Sequence, residues 1–337
     1  MKVTLFQRNC PKGFSIENIT NNIANSLPKK VDVNIYTTKY PNKGILNRIK
    51  SAIEVIKHQG GINHITGDAH FLTYFLKNRK TILTIHDCEK LMSSDYGFIK
   101  KIIYKFFWFA LPKVRCKYIT TISEESKKNL SIYAGISKNV IVIHDGVDPH
   151  FGVLNLTKKE KKELLHNNKN KKTVMHISNI KPNKNVPRLI KALKGMNIKL
   201  VKVGQFSSYE KSLLDKCNID YIQFENIGIG LLVKIYNSVD CLIFPSLIEG
   251  FGLPIVEAQK CGCPVVTSNI SSMPEVGGKG VFYIDPYSIE CIKKGIKKVL
   301  ENNDLRNKII KEGFKNAKRF EWKNIAKQYY KLYNKVK

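Results

Sequence analysis

The chain has 337 residues, of which 57 are Lys or Arg and 27 are Asp or Glu, and its formal net charge is +30. A hydrophobic content of 43% beside 25% charged residues is typical of a folded protein and excludes a disordered or fibrous chain. The length predicts two domains, each with its own core, and the lack of any run of about 18 apolar residues excludes a spanning helix.

The excess positive charge predicts attraction to nucleic acid, an anionic membrane surface or phosphorylated small molecules, unless the lysines only solvate the surface. The eight cysteines are scattered and do not form a disulfide framework at this length. Cys261 and Cys263 have neither the usual zinc spacing nor a matching Cys/His pair, so we expect reduced thiols. The opening residues MKVTLFQRNCPKG lack the apolar region of a secretory signal, which predicts a cytoplasmic protein.

The first half of the chain alternates between strand and helix patterns. Ile16, Ile19, Ile23 and Leu27 have helical spacing. Strands are predicted at 3–6, 31–36, 62–66, 81–85, 118–122 and 140–143, and further helices at 45–58 and 98–111. This alternation favours a parallel sheet with helices on both faces.

The alternation pauses over the Lys-, Glu- and Asn-rich residues 156–172 and then restarts. Strands are predicted at 173–177, 200–203, 241–244 and 264–267, and helices at 187–193, 231–237, 253–261 and within 304–337. The pattern predicts two α/β units in tandem. Two doubly wound domains suit a ligand held in a cleft at the carboxyl ends of the strands.

Residues 245–258, PSLIEGFGLPIVEA, combine a strand end, a glycine-containing loop and a helix start. Pro254 suits the first turn of a helix, and the glycines let backbone N–H groups approach an anion at the positive end of the helix dipole. The carboxylates of Glu249 and Glu257 would accept hydrogen bonds from sugar or ribose hydroxyls. The alternative is an ordinary strand–loop–helix with surface glutamates.

The longer segment PSLIEGFGLPIVEAQKCGCPVVTSNISSMPEV resembles the E-x7-E signature of retaining family-4 glycosyltransferases of the bacterial cell-surface glycan type. Segments that fit the same family are HITGDAHFL, TILTIHDC, TTISEESKKNL, VIHDGVDPHF and HISNIKPNKNVPRLIKAL. The resemblance implies an α/β GT-B fold, in which two Rossmann-like doubly wound domains face each other across a cleft. It implies an acceptor-side domain over 1–155, a nucleotide-sugar-binding domain over 156–318, and a last helix, 319–337, that returns to the first domain.

The resemblance also implies the residues of the donor site. Glu249 would sit by the donor sugar and Glu257 would contact the nucleotide ribose. The turn between them would face the diphosphate with Gly250, Phe251 and Gly252.

Two further positions carry over to the phosphates. Lys184 fits the family's phosphate lysine, whereas Asn179 stands where many members have arginine, so it brings one hydrogen bond but no charge. Gly13 is expected in the loop that many relatives fill with two glycines.

His86, which follows a predicted strand, would reach the donor sugar near the reacting carbon, so His86 and Glu249 are the implied catalytic residues.

The implied function is a retaining hexosyltransferase that moves a sugar from a nucleotide-sugar donor to a cell-surface polysaccharide or lipid-linked glycan. The sequence has no D-x-D pair to hold a divalent metal on the diphosphate, so we expect no metal and no cofactor. Glu249 would orient the sugar, although covalent catalysis by a carboxylate is chemically possible. The alternatives are another GT-B enzyme such as a nucleotide-sugar epimerase, or a basic nucleic-acid-binding protein.

Residues 98–111, FIKKIIYKFFWFAL, combine lysines with apolar residues at helical spacing. Such a helix can lie in the interface of an anionic bilayer, where each nearby Lys adds about 1 kcal/mol. The alternative is a buried helix of the first domain with lysines at its rim. We expect a cytoplasmic protein that is peripheral at the inner face of the plasma membrane and does not bind nucleic acid.

Overall fold

The computed structural model describes residues 1–9, 14–92, 97–167 and 171–336. The chain divides into two compact units. The first consists of Met1–Gly146 together with Trp322–Lys337, and the second is Val147–Glu321. The division derived from the sequence placed the boundaries after residues 155 and 318.

The first unit alternates between strands and helices along the chain. Its elements up to residue 146 are β1 (Lys2–Asn9), α1 (Phe14–Ser26), β2 (Asp32–Pro41), α2 (Ile45–Glu54), β3 (Ile62–Ile65), β4 (Thr81–Ile85), α3 (Glu89–Met92), α4 (Phe98–Lys105), α5 (Leu111–Arg115), β5 (Tyr118–Thr121), α6 (Glu124–Asn129) and β6 (Val140–Val142). Short 3-10 turns cover Val55–His58, His70–Tyr74 and Asn78–Lys80, and π-helical turns cover Phe106–Ala110 and Leu130–Ala134.

These strands form a six-stranded sheet in the order β2-β1-β3-β4-β5-β6. All neighbouring strands are parallel. All five residues of β4 are buried, as expected for a central strand of a parallel sheet that is covered on both faces. The strand order reverses next to β1, so the carboxyl ends of β1, β3 and β4 surround the switch point of this sheet.

The second unit repeats the alternation. Its elements are α7 (Lys158–Leu164), β7 (Lys172–Ile177), α8 (Val186–Leu193), β8 (Ile198–Val203), α9 (Ser208–Lys216), β9 (Asp220–Phe224), α10 (Ile229–Ser238), β10 (Cys241–Phe244), α11 (Leu253–Lys260), β11 (Val265–Ser268), α12 (Met273–Gly277), β12 (Phe282–Ile284), α13 (Ile289–Glu301) and α14 (Asn303–Ala317). Pro182–Lys184 and Lys318–Phe320 are 3-10 turns.

The second sheet is also parallel and has the order β12-β11-β10-β7-β8-β9. Counted from β7, this is the 3-2-1-4-5-6 order of a Rossmann unit. Its core packs Val174, Leu200 and Ile243 of the strands against Leu189 of α8 and Ile296 of α13. The switch point lies between β7 and β10. The expectation of two Rossmann-like doubly wound units is confirmed.

The last helix, α15 (Trp322–Val336), packs in the first unit. Trp322 and Tyr333 are buried in the cluster that contains Leu5 of β1 and Ile23 of α1. A Cβ at Gly146 would lie 2.4 Å from the Trp322 ring, so the lack of a side chain there makes room for α15. None of the helices in the described residues is long and apolar enough to cross a membrane.

Candidate functional site

A cavity of about 810 Å³ opens in the second unit where β7, β8 and β10 end. It is lined by residues 177–180, 203–205, 225–227 and 251–254, with Lys184, Leu232, Phe244 and Glu249. In open α/β sheets, ligands bind outside the carboxyl ends of the strands at the switch point, which is the position of this cavity. Its volume suits a small-molecule ligand.

Lys184 and Glu249 form an ion pair on the wall of this cavity. The Lys184 Nζ lies 2.7 Å from Oε1 and 2.9 Å from Oε2 of Glu249, and both side chains are largely shielded from solvent. The same Nζ lies 5.9 Å from the centre of the Phe244 ring. A shielded, charge-assisted pair of this kind holds both side chains in place. Removing either partner would leave the other charge shielded and uncompensated, which is destabilising.

The loop that carries Glu249 is held by side chains around it. Ser271 Oγ and Ser272 Oγ each lie 3.1 Å from the Glu249 carbonyl oxygen, and the single hydroxyl proton of Ser272 is donated to the closer Phe251 carbonyl oxygen at 2.7 Å. Asn183 donates to the carbonyl oxygen of Ile248 at 2.8 Å. The loop therefore has one fixed conformation, and sequence reasoning did not find these serines.

Gly252 joins this loop to α11. Its φ of 106° is in the left-handed region, which glycine adopts without strain. As the N-cap it supplies no side-chain hydrogen bond, so the positive end of the α11 dipole borders the cavity beside Leu253 and Pro254. The predicted anion-facing turn thus has its Phe251 and Gly252 on the cavity wall, while Gly250 lies in the same loop but not on that wall.

Glu257 lies on α11 and does not line the cavity. Its Oε2 accepts a hydrogen bond of 2.8 Å from the hydroxyl of the buried Tyr236. Burial raises the pKa of Glu257 to about 7, although the Tyr236 hydrogen bond acts in the opposite direction. The structure therefore brings Lys184, Asn179 and Glu249 together on the cavity and sets Glu257 apart from it.

His86 belongs to the first unit and follows β4. Its Nε2 lies 3.1 Å from the Thr66 carbonyl oxygen and its Nδ1 lies 3.8 Å from Asp145 Oδ2. Burial lowers the pKa of His86, but Asp145, the Thr66 carbonyl and Asp87 outweigh burial and raise it to about 9. The ring therefore carries a positive charge at neutral pH. Gly13 lies outside the described residues.

Residues 157–316 match the family model described as glycosyl transferases group 1. This segment is similar to group 1 glycosyltransferases, and the match covers just under half of the chain. The resemblance inferred from the sequence is thereby confirmed. The matches do not favour the epimerase or nucleic-acid-binding alternatives.

Two curated relatives come from Escherichia coli. O-antigen chain mannosyltransferase B is 39% identical over 97 residues, which are 29% of this chain and 26% of that protein. Serotype-specific mannosyltransferase WbdA is 25% identical over 272 residues, which are 73% of this chain and 32% of that protein. The chain thus spans about a quarter to a third of the length of these relatives.

A solved structure is similar over nearly the whole chain. Anabaena Alr3699/HepE, crystallised with UDP and glucose, superposes with a TM-score of 0.80 at 17% identity. The match covers 99% of this chain and 100% of the Anabaena chain. At this identity the similarity shows the fold alone, and it confirms the expected GT-B fold.

One charged residue at the group 1 site was missed by sequence reasoning. Lys202 is fully buried at the carboxyl end of β8, and its Nζ donates to the carbonyl oxygen of the cavity-lining Ser178 at 2.6 Å. The signal was a lysine within the otherwise apolar run Leu200 to Val203 of a predicted strand. Among the described residues, no three His, Cys, Asp or Glu side chains form a group that could hold a metal ion.

Proposed function

We propose that this chain is a retaining, metal-independent glycosyltransferase that moves a hexose from a nucleotide-diphosphate sugar to a cell-surface polysaccharide or lipid-linked glycan. The observation that supports this most is the cavity at the β7/β10 switch point. It combines a fixed carboxylate, a lysine and the positive end of a helix dipole within one small-molecule site.

In this proposal the donor diphosphate lies between the α11 N-terminus and Lys184. Backbone N–H groups and an ammonium that are already held in place stabilise the charge of the departing diphosphate without reorganising. Asn179 adds a neutral hydrogen-bond donor at the same wall. Glu249, held by Lys184 and by Ser271 and Ser272, orients the hydroxyls of the sugar. Gly250 shapes the loop, and Gly13 is a further proposed contact to the phosphates.

Glu257 is the proposed contact to the nucleotide ribose. A half-buried carboxyl whose pKa is about 7 can exchange its hydrogen bond to Tyr236 for one to a ribose hydroxyl. This contact requires a side-chain movement toward the cavity, since Glu257 does not line it in the structure described here.

The transfer step is a front-face displacement. The bond between C1 of the sugar and the diphosphate oxygen breaks, and a bond from C1 to the acceptor oxygen forms on the same face. The departing diphosphate oxygen takes the proton of the acceptor hydroxyl. His86, which is positively charged at neutral pH, would stabilise negative charge during this step.

The relatives' names support mannose as the hexose. Both Escherichia coli relatives are called mannosyltransferases, and one is named for O-antigen chains. The Anabaena structure holds UDP and glucose, which keeps a UDP-sugar in the set of donors to be examined.

A membrane-bound acceptor is supported by the surface of the first unit. Phe98, Ile99 and Ile102 of α4 are between half and four-fifths exposed, and Lys100 lies among them. Only Trp108 and Phe109, at the end of this stretch, are buried. A basic helix with an exposed apolar face fits the interface of an anionic bilayer, which supports peripheral membrane association from the cytoplasmic side.

The test of the enzymatic proposal is a donor screen followed by a transfer assay. Purified protein is mixed with UDP-, GDP-, ADP- and dTDP-hexoses, and the rise of the melting temperature identifies the bound donor. Hydrolysis or transfer of that donor is then followed with and without EDTA, and the anomeric configuration of the product is read by NMR. We expect binding of GDP-mannose or a UDP-hexose, EDTA-resistant turnover and retention. Failure of every donor to bind contradicts the proposal.

A further inference from the structure

Lys202 is a buried cation that lies directly behind the cavity wall. Its Nζ donates to the carbonyl oxygen of Ser178 at 2.6 Å, to Ser178 Oγ at 2.8 Å and to the carbonyl oxygen of Val203 at 3.3 Å. Ser178 and Val203 both line the cavity, whereas Lys202 itself is not exposed. The Lys202 ammonium therefore does not contact a ligand in the cavity, but it bonds to residues that line the cavity wall.

A second contact fixes the direction of the Ser178 hydroxyl. His176 Nδ1 lies 2.9 Å from the carbonyl oxygen of Ile243, which only accepts, so Nδ1 carries the proton. Burial lowers the pKa of His176 to about 3, so the ring is neutral and its Nε2 accepts from Ser178 Oγ at 2.9 Å. Ser178 thus donates to His176 and accepts from Lys202. Lys202 must be the donor in this chain of hydrogen bonds.

A comparison within β8 isolates what is unusual about Lys202. Lys199 of the same strand is also buried, but its Nζ lies 3.9 Å from Asp220 Oδ1 as well as 2.7 Å from the carbonyl oxygen of His166. Across the described part of the chain, no carboxylate oxygen lies within ion-pair distance of Lys202. Glu210 acts on Lys202 electrostatically from beyond that distance, and a buried charge without a counter-charge in direct contact is costly. An anion in the adjacent cavity would provide that counter-charge.

The cavity wall itself has too little positive charge for an anionic ligand. Its ionisable lining residues are Lys184, Glu225 and Glu249, and the Lys184 ammonium is already engaged by Glu249. Two carboxylates and one ammonium give these side chains a formal net charge of −1, against which Lys184 and the α11 N-terminus must hold a diphosphate. Lys202 is an additional cation at this site.

Gly204 keeps Lys202 close to the ligand space. Its φ of 105° is left-handed, and a Cβ there would lie 2.1 Å from the Ser178 carbonyl oxygen and 3.4 Å from Lys202 Nζ. Gly204 lines the cavity, so the same residue borders the ligand space and lies close to the ammonium. Any other residue would displace the turn that Ser178 begins.

We propose that Lys202 is a positioning residue of the donor site, whose buried ammonium attracts the donor diphosphate and fixes the turn that carries Ser178 and Asn179. It acts through Ser178 and Gly204 and does not touch the ligand. This inference rests on the proposed function, because it assumes that the cavity takes a nucleoside diphosphate.

The experiment compares charged and uncharged ligands. Calorimetric affinities of UDP, GDP and ADP, and of uridine, guanosine and adenosine, are measured for wild type, Lys202→Met, Lys202→Arg and the control Lys199→Met. For the diphosphate that the wild type binds, we expect about tenfold weaker binding to Lys202→Met, because the loss of a charge-assisted interaction is worth roughly this much. The matching nucleoside should change by less than about twofold, and Lys202→Arg and Lys199→Met should bind both ligands nearly as the wild type does.

The two possible failures are distinct. A wild-type protein that binds none of the three diphosphates and none of the donors in the screen contradicts the proposed function. A wild type that binds one of them, while Lys202→Met weakens diphosphate and nucleoside equally or neither, overturns the role of Lys202 alone.

A pH profile keeps the proposal testable if Lys202→Met does not fold. Burial lowers the pKa of Lys202 to about 8, and a bound diphosphate would raise it again. Wild-type affinity for the diphosphate should therefore fall about tenfold between pH 7 and pH 9. The other groups that face Lys202 are Glu210, Lys184 and the neutral His176, and Lys202→Arg retains all of them. The Lys202→Arg profile should be flat, and a wild-type profile identical to it rejects the proposal.

Discussion

Both units contain a parallel six-stranded sheet, but one presents charged side chains at a cavity and the other presents apolar side chains to solvent. In Val147–Glu321, the ionisable residues Lys184 and Glu249 line an open cavity at the strand ends, and Lys202 lies behind its wall. In the first unit, α2 and α4 present large apolar side chains to solvent, among them Ile45 at 75% and Phe98 at 79% exposure.

This difference separates two kinds of recognition. A shielded polar cavity suits a small charged ligand, because its charges are held in place and weakly screened. An exposed apolar surface with lysines suits a large partner such as a bilayer. Under the proposed function, the cavity of the second unit would take the donor, and the apolar surface of the first unit would contact the membrane that carries the acceptor.

The largest expected effect concerns the ion pair on the cavity wall of the second unit. Glu249→Gln should lower turnover by at least about 100-fold, since it removes the carboxylate that orients the sugar and leaves the Lys184 ammonium unpaired. The control is Glu225→Gln, which removes another carboxylate of the same cavity that is bonded to Gln205. Steady-state kinetics with the identified donor decide the matter. Near wild-type turnover of Glu249→Gln would reject its proposed role.

The second effect concerns the docking of α15 in the first unit. Gly146→Ala should destabilise this unit by about 2 to 3 kcal/mol, because the new Cβ overlaps the Trp322 ring. Both tryptophans of the chain, Trp108 and Trp322, lie in the first unit, so tryptophan fluorescence during urea unfolding reports on it. Gly97→Ala is the control, because its Cβ would meet none of the residues that the structure describes within 4 Å. Equal midpoints for both variants would show that Gly146 is not needed for the packing.

A third effect concerns the apolar surface itself. The double variant Phe98→Ser with Ile99→Ser should reduce partitioning onto anionic liposomes at least about tenfold, because each lost apolar side chain removes roughly 1.5 kcal/mol or more of burial. Flotation is compared at low and high salt. Tyr209→Ser, at a 61% exposed aromatic residue of the second unit, is the control. If the wild-type protein shows no salt-sensitive binding to anionic liposomes, the proposed membrane contact is rejected.

Local patterns made much of the fold and part of the site predictable. The alternating strands and helices follow from apolar periodicity, and the turn before α11 follows from its glycines and Pro254. By contrast, the ion pair Lys184–Glu249 joins residues 65 positions apart in the sequence. The proposed role of Lys202 depends on its bond to Ser178, 24 positions away, which a local pattern does not show. Sequence periodicity also could not decide whether residues 98–107 are buried, because a helical apolar face looks the same in a core and on a surface.

The smallest expected effect is on the pH dependence of stability, and it refines the comparison of the units. Each unit contains a histidine whose pKa burial lowers to about 3, namely His64 and His176. As the pH falls below 6.5, the unfolded chain protonates these histidines first, so each one destabilises its unit. Each unit also contains a titratable group that has the opposite effect on stability as the pH falls. The folded-state pKa of His86 is about 9 and that of Glu257 is about 7, both above the unfolded values.

Glu257 therefore stabilises the second unit increasingly as the pH falls through 7, with the full effect below 4.5, and it offsets His176. In Glu257→Gln this compensation is lost, and the second unit should lose about 1.4 kcal/mol more than the wild type between pH 7.5 and pH 5.5. Hydrogen exchange of the β7 and β10 amides measures this unit separately. Glu225→Gln, which removes an exposed carboxylate, should leave the slope unchanged. Equal slopes for Glu257→Gln and wild type would show that Glu257 is ionised in the folded protein at pH 5.5, and its hydrogen bond to Tyr236 would then have to outweigh burial.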